Sequence, residues 1–235
     1  MPIDITDFLP KYPEMDGKIA FNPYSDEAFN NAILHKTEFY GEKLSQSEKV
    51  PSETGELMKD QILLSRFFSS RTMYDSLLVM HSMGTGKTCA AIAAIEQIFS
   101  EKNTFKKALI FARGEGLLNN FVNELVFKCT AGQYVPENFD DLTDLEKIHR
   151  INKKVGERYK FHTFETFSKK MKNMDDSEVK KNYSDMIIVI DEVHNIRPSK
   201  KEGIETYKQF FRLCHIPENI KVLLLSGTPM KRKRE

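Results

Sequence analysis

The stretch that most restricts what this chain can become runs from Leu77 to Ile98. Leu77-Leu78-Val79-Met80 is a short apolar run of the kind found in buried parallel strands. It stops at His81-Ser82-Met83-Gly84-Thr85-Gly86, and Lys87-Thr88 then opens an alanine-rich helical stretch from Cys89 to Ile98. A strand that passes through a glycine-bearing turn into a helix is a phosphate cradle. Gly84 and Gly86 lack a Cβ, so the backbone can bring its N–H groups against phosphate oxygens. The turn delivers those donors to the positive end of the helix dipole, where an anion is favoured. Lys87 then has the reach for β- and γ-phosphates, and the hydroxyl of Thr88 can complete a Mg²⁺ shell. The usual pattern, G-x-x-x-x-G-K-[ST], has glycine where this chain has His81; Gly84-Thr85-Gly86-Lys87-Thr88 is retained.

The 235 residues suit one domain of generous size, alone or with an N-terminal extension. Lys and Arg number 35 against 34 Asp and Glu, so no overall basic field advertises nucleic acid, and any polyanion must be met by local clusters. Three cysteines, Cys89, Cys129 and Cys214, are far apart and include no C-x-x-C. The expectation is therefore reduced intracellular thiols, with neither a disulfide framework nor a zinc site. The chain starts without a basic leader, and its apolar runs fall far short of the roughly 18 residues that span a bilayer. A soluble, intracellular protein with no membrane partner is expected.

Residues 1–54 read as an N-terminal extension, polar and broken by prolines, with one helix from about Ser25 to Lys43 whose apolar face carries Phe29 and Ile33. It either lies on the core or forms a flexible leader. From residue 55 to 230 the pattern alternates. A helix over Glu56–Phe68 precedes the cradle strand, and the helix after the cradle is apolar nearly all round, as for a helix clamped between layers. Strands are expected at 108–112, 160–164, 186–190 and 221–225, with helices over 115–127, 165–174 and 204–213 between them. Unbroken apolar strands alternating with helices predict an α/β domain with a parallel sheet covered on both faces. The polar stretch 129–158 reads as a surface excursion. Residues 231–235 are a basic chain end, a solvated tail or a localisation or nucleic-acid patch.

A cradle alone only binds. Its complement follows the strand Met186–Ile190 as Asp191-Glu192-Val193-His194. In an open parallel sheet, ligands sit beyond the carboxyl ends of the strands, so these carboxylates arrive at the same edge as the cradle. Asp191 is placed to hold Mg²⁺, and Glu192 to orient and deprotonate an attacking water. Ser226-Gly227-Thr228-Pro229 follows the last strand at that edge and reads as a turn or, in this company, a coupling element.

Gly84-Thr85-Gly86-Lys87-Thr88, Asp191-Glu192-Val193-His194 and Ser226-Gly227-Thr228 resemble, in order, motifs I, II and III of superfamily 2 helicases and translocases. With its His81, the first motif is similar to that of the nucleoside triphosphatases and early transcription factor ATPases of large DNA viruses. Pro13, Asp16, Phe29, Ile33, Lys36, Glu38 and Phe39 resemble the leader of such proteins more weakly. The resemblance implies a RecA-like P-loop domain that binds ATP with Mg²⁺ at His81, Ser82, Met83, Gly84, Thr85, Gly86, Lys87 and Thr88. It implies catalysis by Lys87, Asp191 and Glu192, metal held by Thr88 and Asp191, and coupling through His194, Ser226 and Thr228. Gln61 falls where the family reads adenine, though a polar surface position is an equal reading. Arg113, opening the segment to Asn120, and Thr163, within His162-Thr163-Phe164, fall where the family meets the backbone of DNA or RNA.

The family builds its active site between two such lobes, and the second supplies motifs IV to VI with arginine fingers. Nothing after Pro229 in this sequence could form them. An arginine finger is worth about 10³- to 10⁵-fold in rate, so weak hydrolysis is expected of this chain alone. The implied function is the ATP-binding lobe of a nucleic-acid motor completed by a second helicase domain. The alternative is a nucleotide-dependent module of a viral transcription complex with little turnover. A GTPase or small-molecule kinase is disfavoured, because no N-K-x-D guanine reader is present. Host cytoplasm or virion is the expected location if the chain is viral, with the nucleus open as well.

Overall fold

The computed structural model describes residues 57–70, 72, 74–80, 84, 86–101, 104–196 and 201–227. The helix expected near Ser25, the whole extension 1–54 and the basic end 231–235 lie outside the described residues. Five strands, β1 (Ser76–Met80), β2 (Lys107–Ala112), β3 (Tyr159–Thr163), β4 (Met186–Ile190) and β5 (Lys221–Ser226), form one sheet in the order β1-β5-β4-β2-β3. Every pairing is parallel. The central β4, Met-Ile-Ile-Val-Ile, is buried along its whole length. Its side chains alternate between two cores, as the two-residue period of a strand requires: Ile187 and Val189 enter one, Met186, Ile188 and Ile190 the other.

The first core is closed by α1 (Lys59–Phe67), α2 (Lys87–Ser100), α3 (Glu115–Phe127) and α4 (Asp144–Gly156), the second by α5 (Phe164–Lys172), α6 (Asp176–Tyr183) and α7 (Lys201–His215). Helix α2 has all of Ala90–Ile95 and Ile98 buried, because it runs between the sheet and the neighbouring α1 and α3. Each fully buried isoleucine there contributes about 1.5–3 kcal/mol by leaving water. Among the described residues the cover is thinnest over edge strand β1. On edge strand β1, Leu78 is 47% and Met80 53% exposed, and no described helix lies over them.

Two expectations change and one gains detail. The excursion 129–158 lies on the surface, with Cys129, Tyr134 and Val155 buried, and it contains a one-turn 3₁₀ helix, Phe139–Asp141, and α4. It is tied down by Glu96 of α2, whose carboxylate accepts hydrogen bonds from Tyr134 Oη at 2.7 Å, Gln133 and Arg158 at 3.2 Å, and Tyr159 Oη. A second unexpected helix, α6, follows Asp175, whose side chain accepts from Glu178 N at 2.8 Å. The thiols are not all free. Cys89 in the first turn of α2 and Cys129 just past α3 are joined in a disulfide with their Cα atoms 5.3 Å apart, and Cys214 alone is unpaired. The reading of reduced thiols rests on sequence spacing, which cannot show that residues 40 apart meet in space. No helix among the described residues is long and apolar enough to cross a membrane.

Candidate functional site

Parallel pairing places the carboxyl ends of all five strands on one rim. Met80 stands opposite Ser226, Ala112 opposite Thr163, and Ile190 beside Phe111 and Leu224. The turn after β1, the acidic pair after β4 and the Ser226-Gly227 turn after β5 therefore converge by topology, as expected.

Local backbone shape comes from glycine. Gly86 is the N-cap of α2 with φ +77°, and Gly84 has φ +79°, both in the left-handed region closed to most side chains. At Gly86 a Cβ would also lie 2.6 Å from Gln61 Nε2 and 2.7 Å from Met58 Cε. Gln61 on α1 is only 2% exposed and is not a surface position. Its amide is anchored inside the chain: Oε1 accepts from Met58 N at 2.9 Å, and Nε2 donates to Gly86 O at 3.2 Å. The glutamine thus clamps the cradle turn onto α1. The first three N–H groups of α2, on Lys87, Thr88 and Cys89, precede the first helical bond of that turn, Ala90 N to Gly86 O at 2.9 Å.

Lys87 turns onto the acidic pair. Its Nζ forms an ion pair and hydrogen bond with Glu192 Oε1 and lies 3.6 Å from Asp191 Oδ1, all three side chains being at most 20% exposed. Consecutive residues of an extended strand point to opposite faces, so two adjacent carboxylates could not both meet one amine without a turn. Glu192 provides it with φ +51°, a left-handed conformation that costs a non-glycine residue on the order of 1–3 kcal/mol. Asn195 closes the turn, its N and Nδ2 donating to Glu192 O at 2.9 and 3.0 Å.

The two carboxylates are unlike in environment. Burial pushes the Asp191 carboxyl above its ordinary pKa, further than the attraction of Lys87 pulls it back. Burial also raises Glu192, but the Gly227 N–H and Lys87 outweigh it and hold that carboxyl below its ordinary range. Gly227 N donates to Glu192 Oε2 at 3.0 Å. His194 Nδ1 lies 3.2 Å from Glu192 Oε2 and 3.2 Å from Ser226 Oγ, so one imidazole bridges the ends of β4 and β5.

Asp191 Oδ1 is buried with no hydrogen-bond partner, since 3.6 Å to Lys87 is close enough for attraction but too long for a hydrogen bond. An anionic oxygen held out of water and left unbonded fits a hard cation, which takes oxygen ligands. The donor chemistry of Asp191 and Thr88 suits Mg²⁺. Thr88 is half-buried on the first turn of α2.

Of the other expected residues, Arg113 is exposed just beyond β2, and Thr163 caps α5, its Oγ1 accepting from Thr166 N at 3.3 Å. Both stand on the same rim. His81, Ser82, Met83, Thr85 and Thr228 lie outside the described residues. Sequence reasoning missed the Gln61–Gly86 clamp and the Cys89–Cys129 bond beside the cradle. Only the Met58-to-Gln61 spacing, a cap position followed three residues later by glutamine, hinted at the former.

A parallel sheet flanked by helices, with a glycine turn entering a buried helix and an acidic strand end on the same rim, is a RecA-like α/β domain of the P-loop class. The chain belongs to the family described as type III restriction enzyme, res subunit, which it matches over residues 18–231, and with that family to the N-terminal domains of superfamily 2 helicases. It is 36% identical over its whole length to a protein of Invertebrate iridescent virus 3 named as a helicase, 087L, of which it covers 24%. It is 39% identical over 72% of its length to a protein of Frog virus 3 named as a helicase, 009L, covering 18% of that protein. It is 27% identical over 85% of its length to nucleoside triphosphatase I of Choristoneura fumiferana entomopoxvirus, covering 28%. The chain thus spans between 18% and 28% of the length of these relatives.

Proposed function

We propose that this chain is the ATP-binding lobe, residues 55–230, of an ATP-driven motor on DNA or RNA, completed by a second RecA-like lobe. The observation that carries this reading is the ion pair of Lys87 with Glu192, made where the cradle and the acidic strand end meet. Names of the viral relatives, helicase and nucleoside triphosphatase, support it.

In this account Lys87 exchanges its carboxylate partners for the β- and γ-phosphates of ATP, while the free N–H groups of the first turn of α2 meet the same anion. Losing Lys87 removes one of the interactions that keep the Glu192 carboxyl acidic, so Glu192 becomes a stronger base as substrate arrives. Glu192 then orients a water and accepts its proton, which supplies general-base assistance. Asp191 and Thr88 would hold Mg²⁺, which when bound neutralises charge on the phosphate oxygens. His194 senses the Glu192 carboxylate and passes its position to Ser226, and so to the β5 turn. Arg113 and Thr163 meet the nucleic-acid backbone. Gln61 holds the cradle turn, and its amide keeps a second Nε2–H and a second Oε1 lone pair for reading adenine.

The test is phosphate release by the chain alone and by a longer protein carrying the second lobe, each with and without single- and double-stranded DNA and RNA. Weak turnover alone and nucleic-acid-stimulated turnover in the longer protein are expected. Tight ATP binding without turnover in the longer protein would favour the alternative, a nucleotide-dependent module of a transcription complex. No ATP binding in either would end the reading.

A further inference from the structure

The Cys89–Cys129 bond has no part in the chemistry above, yet it is attached to the cradle. Cys89 is the third residue of α2, immediately after Lys87 and Thr88, and its N–H is one of the three that lack an intrahelical partner. Cys129 is a firm anchor. It is 7% exposed, its N donates to Glu124 O at 2.8 Å, and the next residue, Thr130, ties its hydroxyl to Leu125 O at 2.6 Å. The crosslink therefore fastens the turn that faces the phosphate to the end of α3. Cys129 also lines an open pocket of about 400 Å³ with Ala93, Gln97, Thr130 and Gln133, and its partner Cys89 is half-buried.

We propose that Cys89 and Cys129 form a redox-sensitive staple that sets the affinity of the cradle for nucleotide, tight when oxidised and weaker when reduced. This rests on the reading of Lys87 and its turn as the ATP site. A turn already held in place loses less freedom when the ligand binds, so the crosslinked form binds more tightly. Reduction is by thiol–disulfide exchange with a dithiol. One thiolate of the reductant attacks Cys129 Sγ, the Cys89–Cys129 bond breaks, and the Cys89 sulfur leaves and takes up a proton. The second thiolate of the reductant closes on the first, the mixed disulfide breaks, and the Cys129 sulfur takes up a proton. The dithiol is oxidised to a cyclic disulfide by two electrons, and the cystine is reduced to two thiols. Oxidation by a small-molecule disulfide is the reverse exchange: the two cysteine thiols form their bond and the oxidant leaves as two thiols.

The experiment compares the wild-type chain after oxidised glutathione with the same chain after dithiothreitol, using calorimetry with Mg²⁺ and a non-hydrolysable ATP analogue. Peptide mapping and melting temperature report the crosslink independently. Reduction is expected to weaken binding about fivefold. Closing a loop of 40 residues restricts the unfolded chain, so reduction is also expected to lower Tm by roughly 10 °C. Cys129→Ser, which leaves the cradle residues in place, is expected to bind like the reduced chain in both buffers, and Cys214→Ser like wild type. Equal affinity in the crosslinked and reduced forms overturns the coupling while leaving the ATP site standing. No binding in either form overturns the ATP site and the coupling with it. Failure of the Cys89–Cys129 peptide to appear under the oxidant overturns the staple itself.

Discussion

Two lysines, Lys221 buried and Lys87 half-buried, stand at opposite ends of the same sheet, and they are held in different ways. Lys221 opens β5 at the amino-terminal end and is 3% exposed. Its Nζ donates to Tyr74 O at 2.7 Å and Thr72 O at 3.4 Å, lies 5.2 Å from the centre of the Phe68 ring, and has Asp75 no nearer than 3.8 Å. Burial pushes its pKa down, more than Asp75 and Glu101 raise it. Lys87 opens α2 on the carboxyl rim and is held by side-chain carboxylates, one on a left-handed residue and one with an unbonded oxygen. Backbone carbonyls belong to the scaffold and cannot leave, whereas carboxylates on a strained turn can give up their cation to a better anion. The first arrangement closes the bottom of the sheet; the second is poised for exchange.

The largest test of that contrast is to remove each lysine. Lys87→Ala is expected to cut ATP turnover in the two-lobed protein about 10²- to 10³-fold, as for loss of one transition-state donor, with little change in melting temperature. Lys221→Met should do the converse. It strands the Tyr74 and Thr72 carbonyls and costs about 1–3 kcal/mol in denaturant melts, with nucleotide affinity unchanged. If Lys221→Met impaired binding as strongly as Lys87→Ala, the two ends would not differ as described.

Gly86→Ala sharpens the comparison at the rim. The left-handed φ costs about 1–2 kcal/mol for an alanine, and the added Cβ must displace Gln61 and Met58. Weakened nucleotide binding is expected by calorimetry, with a modest loss of stability. The Gln61→Ala variant should share the binding defect without the backbone strain, because it removes the same clamp.

The smallest effect is in acid. His162 on β3 is half-buried against Phe111 and Phe167, and burial, with Lys170 and Lys160, lowers its pKa from the ordinary 6.5. Between 6.5 and that lower value the unfolded chain holds more proton than the folded one, so stability falls as pH falls through the window. Melts across that range should show the slope in wild type and lose it in His162→Phe.

Much of this was legible in the residues. The strand β4 and the helix α2 were readable because continuous apolar character survives any detail of packing. The meeting of Lys87 with Glu192 followed from strand ends sharing one rim. Helix α4 was missed because the charged character of the segment outweighed its signal, although Leu145, Ile148, Ile151 and Val155 recur at helical spacing. Its start was nevertheless written in Thr143 and Glu146, whose side chains cap each other's backbone N–H. The left-handed turn at Glu192 and the Cys89–Cys129 pairing were not legible. Both are set by where the sheet holds distant segments, and no local residue preference asks for either.

The central claim is that Lys87 leaves Glu192 for the phosphates and that Glu192 then serves the water. Glu192→Gln separates the two roles, since the amide keeps the size and can still accept from Gly227 N but has no charge and little basicity. Measured side by side in the two-lobed protein, ATP binding should be unchanged or tighter and turnover should fall about 10²- to 10³-fold. Turnover at the wild-type rate, or loss of ATP binding with the fold intact, would contradict the account.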